Sequence, residues 1–346
     1  MSLGLACCLL ALAPQKGIQD GWAFDDRLEP ILTPGVARTM KDLGARWVRL
    51  HFRLNATHPA WDEPLLEAYE KILGTLKKEK LEVLGLVTYE SHPGTQKDWI
   101  ENSAEVHGGN GDNPYLRAWA GATFRRLLKR YPSVRFWEIW NEPNCWTTHP
   151  PGERDRLPGQ YYLYPSNFAW LLKRAHLEAS ALKPARKIVS GGLLGADFTG
   201  DPVADTAIPY LRDTLKMGRE KAEWGGTVPV GVWGLHLYIR SGGLVAAEDF
   251  APFPAAFERE VNSLDPTKRS IWLTEIGWQT DKGGLSEEGQ AANVRMLLED
   301  LSKRPQYGPV FYFKLRDEPA AGLNFGLVRS DGAKKPAFDA YRSARL

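Results

Sequence analysis

Short runs in which nearly every position is apolar alternate along the chain with longer stretches whose apolar positions recur every three to four residues. Runs of the first kind suit strands buried on both faces, and stretches of the second kind suit helices laid against them. The pattern predicts strands over 17–19, 45–51, 81–88, 134–141, 187–192, 231–238, 270–276 and 309–314. It predicts helices over about 34–43, 63–79, 114–130, 166–182, 205–217, 252–263, 286–302 and 335–345. The first helix carries its own punctuation, with Thr33 as the cap before Pro34 and Gly44 as the stop. Eight strand–helix repeats suit a closed (β/α)8 barrel, formed here as a single domain over residues 16–346. A doubly wound open sheet is the alternative, but no Gly-rich phosphate turn follows the first strand.

A barrel of this kind places its chemistry at the C-terminal ends of the strands. The polar groups at those ends are Arg49, His51 and Arg53 after the second strand, and Tyr89, Glu90 and His92 after the third. The fourth strand ends in Asn141 and Glu142, the sixth in His236 and Tyr238, the seventh in Glu275 and Trp278. Two long connections, 89–113 and 144–165, leave from the same face and carry Trp99, Trp146, Tyr161, Tyr162 and Tyr164. They read as an aromatic rim around a ligand.

Composition narrows the partners. Net charge is only +2, with basic and acidic residues interspersed, which offers nothing to a nucleic acid. The 13 Trp and 12 Tyr serve a Trp-rich core and a groove for flat-faced ligands such as sugars. Cys7, Cys8 and Cys145 form no disulfide framework, and no His-x-His or His-Glu-x-x-His spacing points to a metal. No cofactor is expected. Residues 1–15 contain an apolar stretch too short to span a bilayer. It has the apolar run and Ala-x-Ala end of a secretory signal but lacks a basic leader. Secreted, periplasmic or cell-envelope location is the expectation, and a plain apolar extension on a cytoplasmic protein is the alternative.

Glu142 and Glu275 each close a strand of mostly apolar residues. Two carboxylates facing one cavity resist ionising together, so one keeps its proton while the other stays charged. That division of labour is what a retaining glycosidase needs: one acid protonates the leaving oxygen and a nearby carboxylate attacks the sugar carbon. The segments "WEIWNEPN" and "IWLTEIGWQT" resemble the strand-four and strand-seven signatures of clan A glycoside hydrolases. "ARWVRLHF" resembles the clan's arginine strand, "WGLHLY" its His-x-Tyr strand, and "GLVRSDGAKKPAFDAY" its approach to the last helix. Among the clan's families the likeness is to family 39 and its relatives, with family 5 next.

The resemblance implies that Glu142 is the general acid/base and Glu275 the nucleophile. It implies that Asn141 binds the sugar 2-hydroxyl, that Arg49 and Tyr238 hold Glu275 charged and oriented, and that His236 joins the same network. Trp140, Trp146 and Trp278 are expected to stack on sugar faces. Many clan members carry a Trp near the end of strand eight as the floor of the sugar site; here "VFYFKLRDEP" offers Tyr312 or Phe313, or replaces the platform with Lys314. Glu138, in step with Glu142 along the strand, is expected to be a structural partner of an arginine or lysine. His51 and His92 are expected at the rim, Trp137 and Trp272 on the helix-facing side, and Cys145 as packing. Asp197 and Asp317 are spare carboxylates that would supply the base of an inverting enzyme. The partner is an oligo- or polysaccharide. A non-catalytic carbohydrate-binding protein on the same barrel is the rival reading, and a metal-dependent hydrolase using His51, His236 and Glu275 is a second one.

Overall fold

Apolar side chains from alternate positions of the eight predicted strands meet in one interior. The computed structural model describes residues 14–95, 98–99, 109–145, 163–196, 207–240, 242–280 and 284–346. Its strands are β1 (Gln15–Gln19), β2 (Trp47–Phe52), β3 (Glu82–Val87) and β4 (Phe136–Asn141), then β5 (Lys187–Ala196), β6 (Val232–Tyr238), β7 (Ser270–Ile276) and β8 (Tyr307–Phe313). All neighbours pair in parallel, and β8 pairs with β1 over Gln15–Gln19, so the sheet closes. Closure removes the exposed edges that an open sheet must protect. The fold is a (β/α)8 barrel, as the pattern predicts.

The helices between strands are formed where local chemistry starts them. Thr33 accepts from the Val36 amide, Asp62 from Leu65 and Ser286 from Gly289, each satisfying an amide that the helix itself leaves open. The stretch 114–130 is helical as expected, but it widens to a π turn over Trp119–Phe124. From there Trp119 lies buried and donates its indole N–H to the Thr88 carbonyl, 2.7 Å away, tying this helix to the end of β3.

The bottom of the barrel is plugged by Trp47, Leu84, Val189, Val232, Trp272 and Phe311, with Phe136 packed against them. Gly17 of β1 belongs to this arrangement: a Cβ there would lie 2.6 Å from the Phe311 ring. Trp272 thus stands inside the barrel, 5.1 Å from Trp47 between ring centroids, and not on the helix-facing side. The reason is a break in alternation. Pairing of β7 with β8 shifts register between Ile271 and Leu273 and again between Leu273 and Ile276, so counting back from Glu275 in twos gives the wrong face. Trp137, in contrast, does face the helices, against Phe52 and Phe124.

The N-terminal apolar segment, Trp146, Tyr161, Tyr162 and Asp197 lie outside the described residues. Among the described residues no helix is long and apolar enough to cross a membrane.

Candidate active site

The end of β4 solves a geometric problem. In an ideal strand, successive side chains point to opposite faces, so Asn141 and Glu142 could not both reach the barrel mouth. The backbone takes φ of +75° at Trp140 and +44° at Glu142, a region that L-residues seldom occupy. Trp140 is thereby turned into the helix layer, where it is fully buried beside Tyr89, Trp99 and Trp119. Asn141 and Glu142 both face the mouth. Strain of this kind costs about 1–3 kcal/mol per residue and persists where a site requires it. The same turn removes Trp140 from the candidates for sugar stacking.

Arg49 organises the site from β2. It is 2 % exposed, and each of its five N–H groups has an acceptor. Nε donates to Glu138 Oε2 at 2.6 Å and Nη2 to Glu138 Oε1 at 3.2 Å. Nη1 donates to Glu275 Oε2 and Gln19 Oε1, both at 2.7 Å, and Nη2 also reaches Asn141 Oδ1 at 2.8 Å. Burial opposes the guanidinium charge, but the carboxylates of Glu138 and Glu275 outweigh it and raise the arginine further above its ordinary range. Glu138 is therefore the arginine's partner, as expected for a buried charge on that strand. Arg49→Met should destabilise the fold by roughly 3–5 kcal/mol, because it leaves the Glu138 charge buried without a counter-ion. Urea unfolding of the variant checks this, with a loss under about 1 kcal/mol as the contrary result.

Tyr238, from β6, donates its hydroxyl to Glu275 Oε1. Burial, then the nearby Glu275 and Glu142, push this phenol well above the usual tyrosine range, so it remains a donor. Glu275 thus receives one hydrogen bond on each oxygen, from Arg49 and from Tyr238.

Glu142 is held differently. Its Oε1 lies 2.8 Å from His236 Nδ1, and His236 is fully buried. The Cys145 amide donates to the Glu142 carbonyl at 3.0 Å, fixing the turn after the strand. The thiol of Cys145 is pushed up by burial and then by the Glu142 charge, which keeps it a packed, protonated side chain. The two glutamate side chains are 20 % and 13 % exposed, so each can meet a ligand.

Oxygens of Glu142 and Glu275 and a ring nitrogen of His236 all lie within 4.8 Å of one another. Such a set could also hold a metal ion. Its donors are already engaged, however: His236 with Glu142, and Glu275 with a guanidinium whose charge would oppose a cation. His51 is not in the set. It pairs with Thr88 Oγ1 at 2.9 Å, and burial, then Arg49 and Arg53, lower its imidazole to about 3.

A cavity of about 350 Å³ opens beside Glu275, lined by Gln19, Trp22, Arg49, Tyr89, Asn141 and Phe313 among others. Its floor corrects one expectation. Tyr312 is fully buried on the far side of β8, 6.0 Å from the Tyr341 ring, because it alternates toward the last helix. Phe313 and Lys314 line the cavity instead, with the Lys314 ammonium paired to Glu318. Trp278 is corrected likewise. It is fully buried and donates its indole N–H to the Ile239 carbonyl at 3.1 Å, so it offers no face to a sugar.

Two lining residues carry no signal in the sequence. Gln19 ends a five-residue strand with nothing to distinguish its amide from any other. Trp22, 38 % exposed, stands on the loop after β1 with the Arg53 guanidinium 3.6 Å over its ring. His92 bonds Thr123 Oγ1 at 2.9 Å and Asp317 bonds Lys335, both as structural partners.

No protein-family model matches the chain, and no curated protein sequence matches it significantly. Solved structures do match. A GH5_18 protein from Streptomyces cattleya in complex with GlcNAc aligns over 96% of this chain and 80% of its own, at 15% identity and a TM-score of 0.65. A GH5-4 broad specificity endoglucanase from Clostridium longisporum aligns over 96% and 97%, at 11% identity and a TM-score of 0.66. A family 39 glycoside hydrolase from Bacteroides cellulosilyticus aligns over 95% of this chain and 63% of its own, at 18% identity and a TM-score of 0.59. The chain therefore has the barrel fold shared by clan A glycoside hydrolases of families 5 and 39, the families its motifs resemble.

Proposed function

We propose that the protein is a retaining glycoside hydrolase that cleaves β-linked oligo- or polysaccharides through two glutamates. The observation that carries this reading is the asymmetric holding of two carboxylates at close range. Glu275 receives hydrogen bonds from Arg49 and Tyr238, while Glu142 meets His236 and the thiol of Cys145. Their oxygens approach within 4.8 Å. Double displacement uses carboxyls roughly 5–5.5 Å apart, whereas an inverting pair needs about 6.5–9.5 Å to admit a water.

In this reading Glu142 gives its proton to the glycosidic oxygen as the Glu275 carboxylate attacks the anomeric carbon. Water then enters, returns a proton to Glu142 and releases the sugar from Glu275 with its configuration kept. Asn141 is the partner of the 2-hydroxyl, its oxygen held by Arg49 so that its amide N–H₂ is oriented toward the cavity. Trp22 and Phe313 replace Trp278 and Tyr312 as the aromatic faces for the sugar. Trp146 is retained as a rim contact. A β-linked substrate agrees with a second structure of the Streptomyces protein, which is in complex with Manβ1-4GlcNAc.

Proton NMR of the first-formed product tests the reaction class: the β-anomer should appear before mutarotation, and the α-anomer first would mean inversion. The metal-dependent reading rests on the Glu142, His236 and Glu275 donor set and predicts the opposite response to chelation. Dialysis against EDTA should leave the hydrolysis rate unchanged within about twofold; a loss restored by zinc would favour that reading.

A further inference from the structure

The cavity beside Glu275 lies to one side of the reacting centre. Glu275 and Asn141 line it, and Glu142 does not. In the double-displacement reading the leaving group departs past the acid, so the cavity belongs to the sugar that Glu275 attacks. Glu90 is part of its wall, in the short 3₁₀ turn Tyr89–Ser91 that follows β3. The turn is pinned on several sides. The Glu90 amide donates to Thr88 Oγ1 at 3.1 Å, and the Glu90 carbonyl accepts from the Leu54 amide at 2.8 Å. The Trp61 indole donates to the Ser91 carbonyl at 2.7 Å. A side chain on a backbone held in this way loses little freedom when a ligand arrives.

The Glu90 carboxyl differs from the others at the cavity. Glu275 has both oxygens bonded, and Glu318 is paired with Lys314. Glu90 Oε2 lies 3.7 Å from His51 Nδ1, beyond a hydrogen bond, and among the described residues no group donates to either of its oxygens. Its side chain is 31 % exposed, open to a ligand in the cavity. Burial pushes the carboxyl above its ordinary range against the pull of Arg53. Donors brought by a ligand would offset that loss of water.

Strand order says which donors these are. Asn141, ending β4, is the partner of the 2-hydroxyl in the reading above. On one side of β4, β5 leads on to β6 and His236; on the other lies β3, whose end reaches the cavity. The 3- and 4-hydroxyls follow the 2-hydroxyl around the ring and come to that second side. Resting on the glycosidase reading, we infer that Glu90 is a specificity-determining residue that accepts hydrogen bonds from the 3- and 4-hydroxyls of a neutral glycone. Two carboxyl oxygens match two hydroxyls on adjacent carbons. Neutrality follows from the cations. Among the described residues the arginine and lysine that line the cavity are Arg49 and Lys314, and both already have carboxylate partners. An anionic sugar would meet Glu90 with no spare counter-charge.

The test compares aryl β-glycosides of the sugar that labels Glu275 with their 3-deoxy and 4-deoxy forms. Wild-type kcat/KM should fall about 10–100-fold for each missing hydroxyl, the scale of a hydrogen bond to a charged group. In Glu90→Ala the parent glycoside should lose at least that much, and removing either hydroxyl should then cost less than about threefold. A merely structural role would lower all three rates together and keep the discrimination. Glu90→Gln makes the same comparison if the alanine variant does not fold. Wild-type indifference to both deoxy sugars overturns the inference, as does full discrimination in a folded Glu90 variant. A hexuronide cleaved faster than its neutral counterpart overturns the neutral class. If no glycoside is cleaved and none labels Glu275, the glycosidase reading falls. Saturation-transfer NMR of the methyl β-glycosides then decides the role of Glu90: binding lost in Glu90→Ala supports it, and binding unchanged or absent altogether overturns it.

Discussion

Glu275→Ala should lower kcat/KM on an aryl β-glycoside by on the order of 10⁴-fold or more, the scale seen when a covalent nucleophile is removed. The loss should come without unfolding. Glu275 is partly open at the mouth, and Arg49 keeps its bonds to Glu138, Gln19 and Asn141 when the Glu275 carboxylate is gone. Truncation leaves a hole on one face of the sugar ring beside a guanidinium, which is a site for a small anion. Azide should therefore restore turnover of a 2,4-dinitrophenyl β-glycoside and give the α-glycosyl azide, because it enters from the face that Glu275 occupied. A folded variant with more than a tenth of wild-type activity would remove Glu275 from the nucleophile role.

Glu142→Gln should act selectively. General acid catalysis is worth roughly 10²–10⁴-fold where the leaving group needs a proton. A dinitrophenolate leaves without one, so its glycoside should still form the glycosyl-enzyme quickly, with hydrolysis of that intermediate slowed for lack of a base. Natural glycosides should lose activity by about that full factor. In Glu142→Ala, azide should yield the β-glycosyl azide, the mirror of the Glu275 result. Equal losses for all leaving groups in both variants would mean that Glu142 supports structure or binding and not proton transfer.

Much of this arrangement is legible along the chain, for an identifiable reason. A strand buried on both faces reads as a nearly unbroken apolar run, so "WVRLHF" and "SIWLTEI" declare β2 and β7 almost to the residue, and Arg49 and Glu275 stand out within them. Alternation fails where the backbone leaves the strand conformation. The positive φ at Trp140 sends that ring outward, and the register shifts along β7 carry Trp272 inward. Trp278 shows a different limit: beyond a strand's end no period tells a buried indole from a sugar platform. Tyr312 and Phe313 are adjacent in sequence and equal in hydrophobic character, and only pairing of Ile18 with Tyr312 and Gln19 with Phe313 decides which faces the cavity. Gln19 itself is invisible in advance, since its role follows from where the Arg49 fork ends.

The double role of Arg49 has the same origin. Charge pairing of a buried glutamate can be foreseen from Glu138 alone, but that one guanidinium serves both Glu138 and Glu275 depends on three strands converging. This sharing links structure to chemistry. The charge that keeps Glu138 tolerable in the interior also pairs with Glu275 at the mouth.

The most direct measurement is mass spectrometry of the intact protein after incubation with a panel of 2,4-dinitrophenyl 2-deoxy-2-fluoro-β-glycosides, followed by peptide mapping. The account predicts a mass increase of one fluorosugar located on Glu275, and none in Glu275→Ala. A folded protein that hydrolyses a β-glycoside of the same sugar yet takes no label on Glu275, or takes it on another residue, would contradict it.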